Sequence, residues 1–130
     1  MKRILFLMLA IVFLGLLYFV FSAGHSNLIY FDIEQQNIVR CKGSISNLYI
    51  TSKDNIDNLH FSVLPNKKSC RNFSIKELNK DYLVEVQGGN FDLQNFKLRP
   101  ETEYEIINHS NGDAADGKLL VRTNKKGMVI

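Results

Sequence analysis

The hydrophobic pattern divides the chain into two parts. Lys2 and Arg3 precede an apolar run at residues 4–21 that contains no charged side chain, and small residues follow at 22–24. A basic start, an apolar stretch and small residues after it are the signature of a secretory signal. At 1.5 Å per residue the run is roughly 27 Å long, close to the hydrocarbon thickness of a bilayer. The pattern therefore predicts a signal peptide or signal anchor at 1–24, with a transmembrane helix at 4–22.

Two fates of this segment remain open. The apolar run is longer than a usual cleaved signal, which favours an uncleaved anchor, whereas the small residues Ser22 and Gly24 permit cleavage after Gly24. Positive charge at the short N-terminus keeps that end in the cytoplasm. We expect a single-pass inner-membrane protein with its C-terminal domain in the periplasm or outside the cell. The alternative is a secreted or periplasmic protein after signal cleavage.

From residue 28 onward the pattern changes to short β-type segments separated by turn residues. Within 59–64, apolar and polar residues alternate, which is typical of a strand with one buried face. The segments with strand character are 28–33, 45–50, 59–64, 72–75, 82–86, 91–93, 96–98, 104–107 and 118–122. About seven short strands with turn signals every 8–12 residues predict an all-β antiparallel sandwich.

The most specific motif in the chain lies before the 104–107 segment. Leu98, Pro100, Thr102 and Tyr104 occupy alternate positions and resemble the L-x-P-x-T-x-Y signature of fibronectin type III domains. The resemblance implies a seven-stranded immunoglobulin-like sandwich with a tyrosine corner, in which Leu98 enters the core and Pro100 sets a turn. A buried tyrosine needs a partner for its hydroxyl, and an upstream backbone carbonyl is the nearest acceptor. We therefore expect Tyr104 to hydrogen-bond back across this corner.

The resemblance also assigns the boundaries of the domain. It covers about residues 43–124, with strands A and B at 46–50 and 59–65, and it leaves 25–42 as a linker or an extra edge strand. Residues 125–130 form a tail that we expect to fray. The chain has no tryptophan, and Val63 stands where the family usually has one. Compensating aromatic side chains are expected in the core, and the candidates are Phe61, Phe73 and Phe96.

Two cysteines, Cys41 and Cys70, both belong to the exported part. An even cysteine count in an oxidising compartment predicts one disulfide. Closing the loop between them would stabilise the domain by roughly 3 kcal/mol in the chain-entropy description. In a fibronectin-like topology both cysteines lie near the same pole, so the predicted bridge agrees with the predicted fold.

Charge and composition exclude several classes of function. Without Lys2 and Arg3, the 14 remaining basic residues nearly balance 13 acidic ones, so nucleic acid is not an expected partner. His25, His60 and His109 are widely separated and predict neither a metal site nor a catalytic triad. Asp113 and Asp116 lack the alternating ligands of a calcium loop. No cofactor or metal and no enzymatic activity is expected.

The remaining candidates for function are polar loops, which commonly carry binding sites on β scaffolds. We expect a protein partner of unknown identity to contact two of them, through Asn66, Lys67, Lys68, Asn111, Asp113 and Asp116. The sequence thus favours a membrane-tethered, extracytoplasmic protein-binding module, with a periplasmic immunity or inhibitor protein as a narrower version. The alternative is a structural subunit of a cell-envelope or secretion assembly, in which the N-terminal helix itself makes specific contacts.

Overall fold

The computed structural model describes residues 2–23, 27–88, 91, 96–109, 112 and 115–130, with the side chains of 2, 3 and 21–23 excepted. It consists of one N-terminal helix and a β-rich domain with two antiparallel sheets. The helix α1 spans Lys2–Ala23, and its described side chains, at 4–20, are all exposed. Among the described residues, no helix combines the length and mean hydropathy that a membrane span requires. The transmembrane helix expected at 4–22 is therefore not confirmed.

Eight strands form the part of the β domain that the structure describes. They are β1 (Ile29–Asp32), β2 (Asn37–Arg40), β3 (Asn47–Ser52), β4 (Asn58–Val63), β5 (Asn72–Ser74), β6 (Tyr82–Val86), β7 (Glu103–His109) and β8 (Gly117–Arg122). The smaller sheet has the order β1-β2-β5, and the larger sheet has the order β6-β4-β3-β7-β8. Every neighbouring pair is antiparallel. The expected antiparallel β architecture is confirmed at this level, with sheets of three and five strands.

Alternation along the central strands produces the core. In β3, Leu48, Ile50 and Ser52 are buried, and the residues between them are half-buried on the outer face. A strand exposes successive side chains on opposite faces, so this period of two buries one face of the sheet. Buried apolar residues from both sheets form one cluster. The inward faces of the two sheets therefore share a single core.

Aromatic rings link the two sheets across that core. Phe61 of β4 contacts Phe73 of β5 with ring centroids 5.0 Å apart, and it contacts Phe96 at 5.7 Å. Both contacts are edge-to-face, an arrangement that aromatic pairs favour. Val63 is only partly buried at the margin of this cluster. The expectation that Phe61, Phe73 and Phe96 fill the core is confirmed.

The first strands differ from the expected assignment. Segments 46–50 and 59–65, expected as the first two strands, correspond to β3 and β4 in the middle of the larger sheet. Residues 29–40, expected as a linker or an edge strand outside the module, form the β1–β2 hairpin, with β2 at the centre of the smaller sheet. Of the segments expected at 91–93 and 96–98, residues 92–95 lie outside the described part, and 96–98 is not a strand.

The C-terminal residues are held in place, so the expected fraying is wrong. Val129 is 2% exposed and forms a bridge with Thr123, and the Ile130 N–H donates to the Arg122 carbonyl (2.9 Å). The buried side chain of Gln36 donates to the Val129 carbonyl (2.9 Å) and accepts from the Val129 N–H (2.8 Å). This amide makes the two hydrogen bonds that a neighbouring strand would make.

The strand directions define two poles. At the near pole β2, β4 and β7 end, and β3, β5, β6 and β8 begin; the opposite end is called the distal pole. The near pole carries the connections at 41–46 and 64–71 and the described residues 115 and 116 before β8. The distal pole carries the turns at 33–36 and 53–57, the segment 96–102 and the C-terminal residues 123–130.

Candidate functional site

The two loops expected to bind a partner both leave from the near pole. Lys67 and Lys68 lie in the connection after β4, and Asp116 lies just before β8. One strand, β3, separates β4 from β7, so the loops start about 10 Å apart. Asn66 is exposed in the first loop, while Asn111 and Asp113 lie outside the described residues. The structure therefore brings the two loops to one pole but describes only part of the second.

Charged residues of these loops already have partners within the chain. The ammonium of Lys67 lies 3.7 Å from the Asp81 carboxylate, and the Asp116 carboxylate lies 3.0 Å from Nδ1 of His109. Both pairs are at least two-fifths exposed, and such surface pairs contribute little to stability. The positive φ of Asn66 (65°) marks a tight turn at the tip of its loop.

The chain enters the β domain from α1 at this same pole. The Asn27 N–H donates to the Ala115 carbonyl (2.9 Å), and the buried Asn108 side chain donates to the carbonyls of Asn27 (3.2 Å) and Ser44 (2.8 Å). A Cβ on Gly117 would lie 2.0 Å from the Asn27 carbonyl oxygen, so only glycine permits this close approach. The first described residue after the helix is thus fixed beside the candidate loops.

Both cysteines also lie at the near pole, as free thiols. Cys41 is exposed and Cys70 is half-buried, so the expected disulfide is not formed in this structure. The Arg40 N–H donates to the Arg71 carbonyl (2.9 Å), and the β2–β5 register continued by two residues past Val39 and Asn72 sets Cys41 opposite Cys70. Burial raises the pKa of the Cys70 thiol, which also lies 3.3 Å from the Tyr82 hydroxyl.

At the distal pole, Tyr104 is the centre of a buried hydrogen-bond network. Its hydroxyl accepts from the Arg99 N–H (2.9 Å) and donates to the Asp57 carboxylate (2.6 Å). The corner thus closes on an upstream residue as the motif suggests, but the expected carbonyl acceptor is replaced by a carboxylate. Leu98 is buried, and the Thr102 hydroxyl donates to the Pro100 carbonyl (2.8 Å).

Arg99 extends this network to the surface. Its Nε donates to the Asp57 carboxylate (2.7 Å), and its terminal nitrogen donates to both Asp54 oxygens (2.8 and 2.9 Å). The Ser52 hydroxyl donates to Asp54, and this bond together with Arg99 lowers the pKa of the Asp54 carboxyl to about 2. Burial raises the pKa of the Tyr104 hydroxyl. The contacts of Arg99 with Asp54 and Asp57 form a structural ion-pair network that holds the 53–57 turn against the corner.

Among the described residues, the C-terminal segment borders two of the cavities at the distal pole. One, of about 980 Å³, lies between the end of β1 and the strand β8, and Phe31, Ile33, Leu120 and Ile130 are among its lining residues. The other, of about 680 Å³, is lined by 75–78, 96–98 and 126–128 together with Gln36. The C-terminal segment 126–130 contributes to both cavities, so it links them into one surface.

Exposed apolar side chains accompany these cavities. The large apolar residues exposed at the distal pole are Ile33, Ile56, Leu78, Met128 and Ile130, with exposed fractions from 37% to 64%. Leu120 on β8 is 78% exposed, the highest value among the large apolar residues of the described β domain. Clustered apolar exposure of this kind commonly marks an interaction surface. No sequence motif marks this surface, because its residues come from turns that are far apart in the chain and from the C-terminal segment.

The outer face of the larger sheet carries a row of rings. Tyr49 stacks on His60 with ring centroids 4.3 Å apart and meets His109 edge-on at 6.2 Å. Each histidine has a carboxylate partner, Glu85 at 3.4 Å and Asp116 at 3.0 Å. His60 and His109 are therefore brought near one another by the sheet, although the sequence separates them. Within the described residues, no group of histidine, cysteine and carboxylate side chains could hold a metal ion.

Comparison with known proteins assigns the chain to no family. No family model, no curated protein and no solved structure matches the chain.

Proposed function

We propose that this chain is an extracytoplasmic, non-catalytic protein-binding module whose partner contacts the distal pole. The observation that carries the proposal is the position of the exposed apolar surface. Ile33, Met128 and Ile130 lie at the pole opposite Asn27, where the chain leaves for α1. A surface that faces away from the attachment point stays accessible when α1 is held at a membrane.

The helix supports the extracytoplasmic location. Its described side chains are apolar and exposed, and a helix that is apolar on every side needs an apolar environment. The basic residues Lys2 and Arg3 before it fit the pattern of an export signal. We propose that α1 tethers the domain on the periplasmic or outer side, with release after cleavage at Gly24 as the alternative. N-terminal sequencing of the mature protein separates the two outcomes.

We also propose a specific fold type for the β domain. The corner formed by Leu98, Pro100, Thr102 and Tyr104, with two antiparallel sheets over one core, supports a fibronectin type III-like sandwich. Such sandwiches commonly display binding surfaces at their ends. The alignment of Cys41 with Cys70 supports a disulfide once the domain reaches an oxidising compartment.

Photo-crosslinking in intact cells tests both whether the chain binds a protein and whether that protein contacts the distal pole. A photoreactive amino acid at Met128 should give a discrete adduct with another protein, whereas the same group at Lys68 of the near pole serves as the matched control. Both positions are exposed, so accessibility to the reagent does not distinguish them. Adducts at Lys68 alone would assign the binding site to the near-pole loops. The absence of adducts at both Met128 and Lys68 would overturn the proposal.

A narrower form of the proposal is a periplasmic immunity or inhibitor protein. Its test is protection: the full chain should rescue growth when a secreted toxin encoded by a neighbouring gene is produced, and the crosslinked partner should be that toxin. Replacing α1 with an unrelated anchor should preserve function in a binding module. Loss of function after that exchange would instead favour the structural subunit of an envelope or secretion assembly.

A further inference from the structure

The smaller cavity of the distal pole, of about 680 Å³, combines an apolar floor with basic side chains around it. The apolar lining residues that are at most 7% exposed are Ile75, Phe96 and Leu98. The basic lining residues, all of them exposed, are Lys76, Lys97 and Lys126, and we call these three the basic rim. Binding sites commonly have an apolar lining and a few polar groups that select the ligand. This cavity therefore has the composition to hold an apolar group that carries negative charge beside it.

The charge of the basic rim is not balanced by the chain. Among the described lining residues of the cavity, Glu77 is the one carboxylate, so three lysines face one glutamate and leave an excess of positive charge. Other lysines of the domain do pair: Lys53 lies 2.7 Å from Glu103. Within the described part of the chain, none of the three rim lysines forms an ion pair. The basic rim thus has ammonium groups available for the carboxylates of a ligand.

The larger cavity differs in charge. Its charged lining residues are Lys53, Arg122, Glu103 and Glu105, which balance one another. Both of these glutamates have a lysine partner, because Glu105 lies 2.8 Å from Lys118. Of the two cavities that the C-terminal segment borders, only the smaller one therefore offers unpaired positive charge. An acidic ligand at the distal pole is expected at the smaller cavity, since opposite charges fix the position of a partner.

The C-terminal side of the smaller cavity is held in a fixed shape. The side-chain oxygen of Asn124 accepts from the N–H groups of Lys126 (2.8 Å) and Met128 (3.1 Å), which closes a tight turn. A Cβ on Gly127 would lie 3.3 Å from Cε of Lys97, so the Lys97 stem passes over this glycine. Two members of the basic rim are thereby brought together from distant parts of the chain. A surface that is ordered before binding loses less conformational entropy when the partner binds.

The same charges disfavour a second copy of this chain as the occupant. A two-fold symmetric contact sets the same patch of both copies face to face. Such a contact through the smaller cavity would bring the two basic rims together, and like charges across an interface are unfavourable. The occupant must therefore bring carboxylates of its own.

We propose that the smaller cavity binds a segment of the protein partner in which one large apolar side chain is flanked by acidic residues. The apolar side chain fills the cavity and contacts Leu78 and Met128, which are 37% and 42% exposed. The flanking carboxylates pair with the basic rim. This inference deepens the proposed function and rests on it, because it names the chemistry by which a partner would recognise the distal pole.

Three synthetic peptides with blocked termini test this assignment on the full chain in nanodiscs of zwitterionic phosphatidylcholine. The probe is Gly-Glu-Glu-Phe-Glu-Glu-Gly; one comparison peptide has Lys in place of every Glu, and the other has Gly in place of Phe. The probe should bind about tenfold more tightly than the lysine peptide, because it can form several ion pairs with the rim. It should also bind about tenfold more tightly than the glycine peptide, because only the probe buries an aromatic ring.

The methyl group of Met128 reports the place of binding. The chain has three methionines, and the other two, Met1 and Met8, precede the β domain. In a sample labelled at the methionine methyl groups, the probe should shift the Met128 signal and leave that of Met8 unchanged. A signal shift of this kind separates binding in the cavity from a general attraction between the peptide and the protein surface.

Charge reversal gives the sharper test. In Lys76→Glu/Lys97→Glu/Lys126→Glu the preference should invert, so that the lysine peptide binds about tenfold more tightly than the probe. The control variant, which reverses three exposed lysines outside the cavity and should keep the wild-type preference, is Lys42→Glu/Lys68→Glu/Lys80→Glu. Both peptides are compared on one protein, so a general loss of stability in a variant does not mimic the inversion.

The outcomes separate this inference from the proposed function. Equal binding of the probe and the lysine peptide, alongside a crosslinked partner at Met128, rejects the acidic ligand and retains the binding module. Equal binding of the probe and the glycine peptide overturns the role of the cavity. A Met128 shift caused by phosphatidylglycerol in the nanodisc without any peptide would assign the rim to lipid headgroups and overturn the inference. Dimerisation that the rim variant alters, measured by sedimentation, would overturn it in favour of a second copy.

Discussion

The hydroxyl of Tyr104 donates to the carboxylate of Asp57 across 2.6 Å, although 47 positions separate them in the chain. Asp57 is 4% exposed, so its carboxylate depends on protein partners rather than on solvent. Arg99 supplies the opposite charge from a position that is 37% exposed. The corner therefore ties the turn at 53–57 to the segment before β7 and fixes one side of the distal pole.

Removing this hydroxyl should destabilise the domain. Tyr104→Phe leaves the Asp57 carboxylate and the Arg99 N–H each short of one hydrogen bond in a buried site, which costs about 1–3 kcal/mol. The free energy of unfolding, from urea denaturation followed by circular dichroism, measures this loss. Tyr30→Phe is the control, because Tyr30 is 49% exposed and its change should stay within about 0.5 kcal/mol. Equal effects of the two substitutions would contradict the role given to the corner.

Acid should weaken the domain through Asp54. Its pKa is lowered from 3.8 to about 2 in the folded state, first by the Ser52 hydroxyl and then by Arg99. A carboxyl with a depressed folded pKa contributes stability that is present above its unfolded pKa and is lost as the pH falls through the folded one. The urea midpoint of the wild type should therefore fall between about pH 4 and pH 2 more steeply than that of Asp54→Asn. Glu34→Gln, which removes an exposed charge elsewhere, should keep the wild-type slope.

The cysteines should be oxidised in exported protein and reduced in protein made in the cytoplasm. In the continued register, Cys41 and Cys70 occupy a non-hydrogen-bonded pair, where Cα atoms lie about 4.5 Å apart, within the range that a disulfide spans. Thiol titration of unfolded protein should find no free thiol in the exported form. Cys41→Ser should then lower the free energy of unfolding by roughly 3 kcal/mol in the oxidised form only. Two free thiols in the exported protein would reject the bridge.

Gln36 should hold the C-terminal segment in place. Gln36→Ala removes the hydrogen bonds to both backbone groups of Val129 and to the Ile33 carbonyl, and we expect a loss of about 1–3 kcal/mol. Hydrogen exchange at the Val129 amide should accelerate by a larger factor than at Leu48 in the core. Gln35→Ala, at the exposed neighbouring position, should leave both readouts close to wild type. An unchanged Val129 amide in Gln36→Ala would show that packing alone holds the segment.

Local patterns predicted the elements whose signals lie within a few residues. The alternation of 59–64 predicted β4, and the motif around Tyr104 located the corner before β7. The same patterns missed β2, because Asn37–Arg40 follows a turn at Gln35 and Gln36 that has neither glycine nor proline. Gln36 adopts a left-handed φ of 56° there, and its side chain is held by Val129, a contact 93 positions away.

The sequence by itself determined that an apolar helix precedes a β domain, because both periodicities arise from consecutive residues. It also predicted that the Tyr104 hydroxyl bonds back across the corner and that the charge of the domain is nearly balanced, whereas the carboxylate acceptor of that hydroxyl emerged only in the structure. Only the tertiary structure decided that 37–40 is the central strand of the smaller sheet, that the two loops and Asn27 share one pole, and that the apolar surface lies at the other. Which residues meet at a pole depends on which strands pair. Strand pairing is fixed by contacts between residues that are far apart in the chain, so a local pattern cannot predict it.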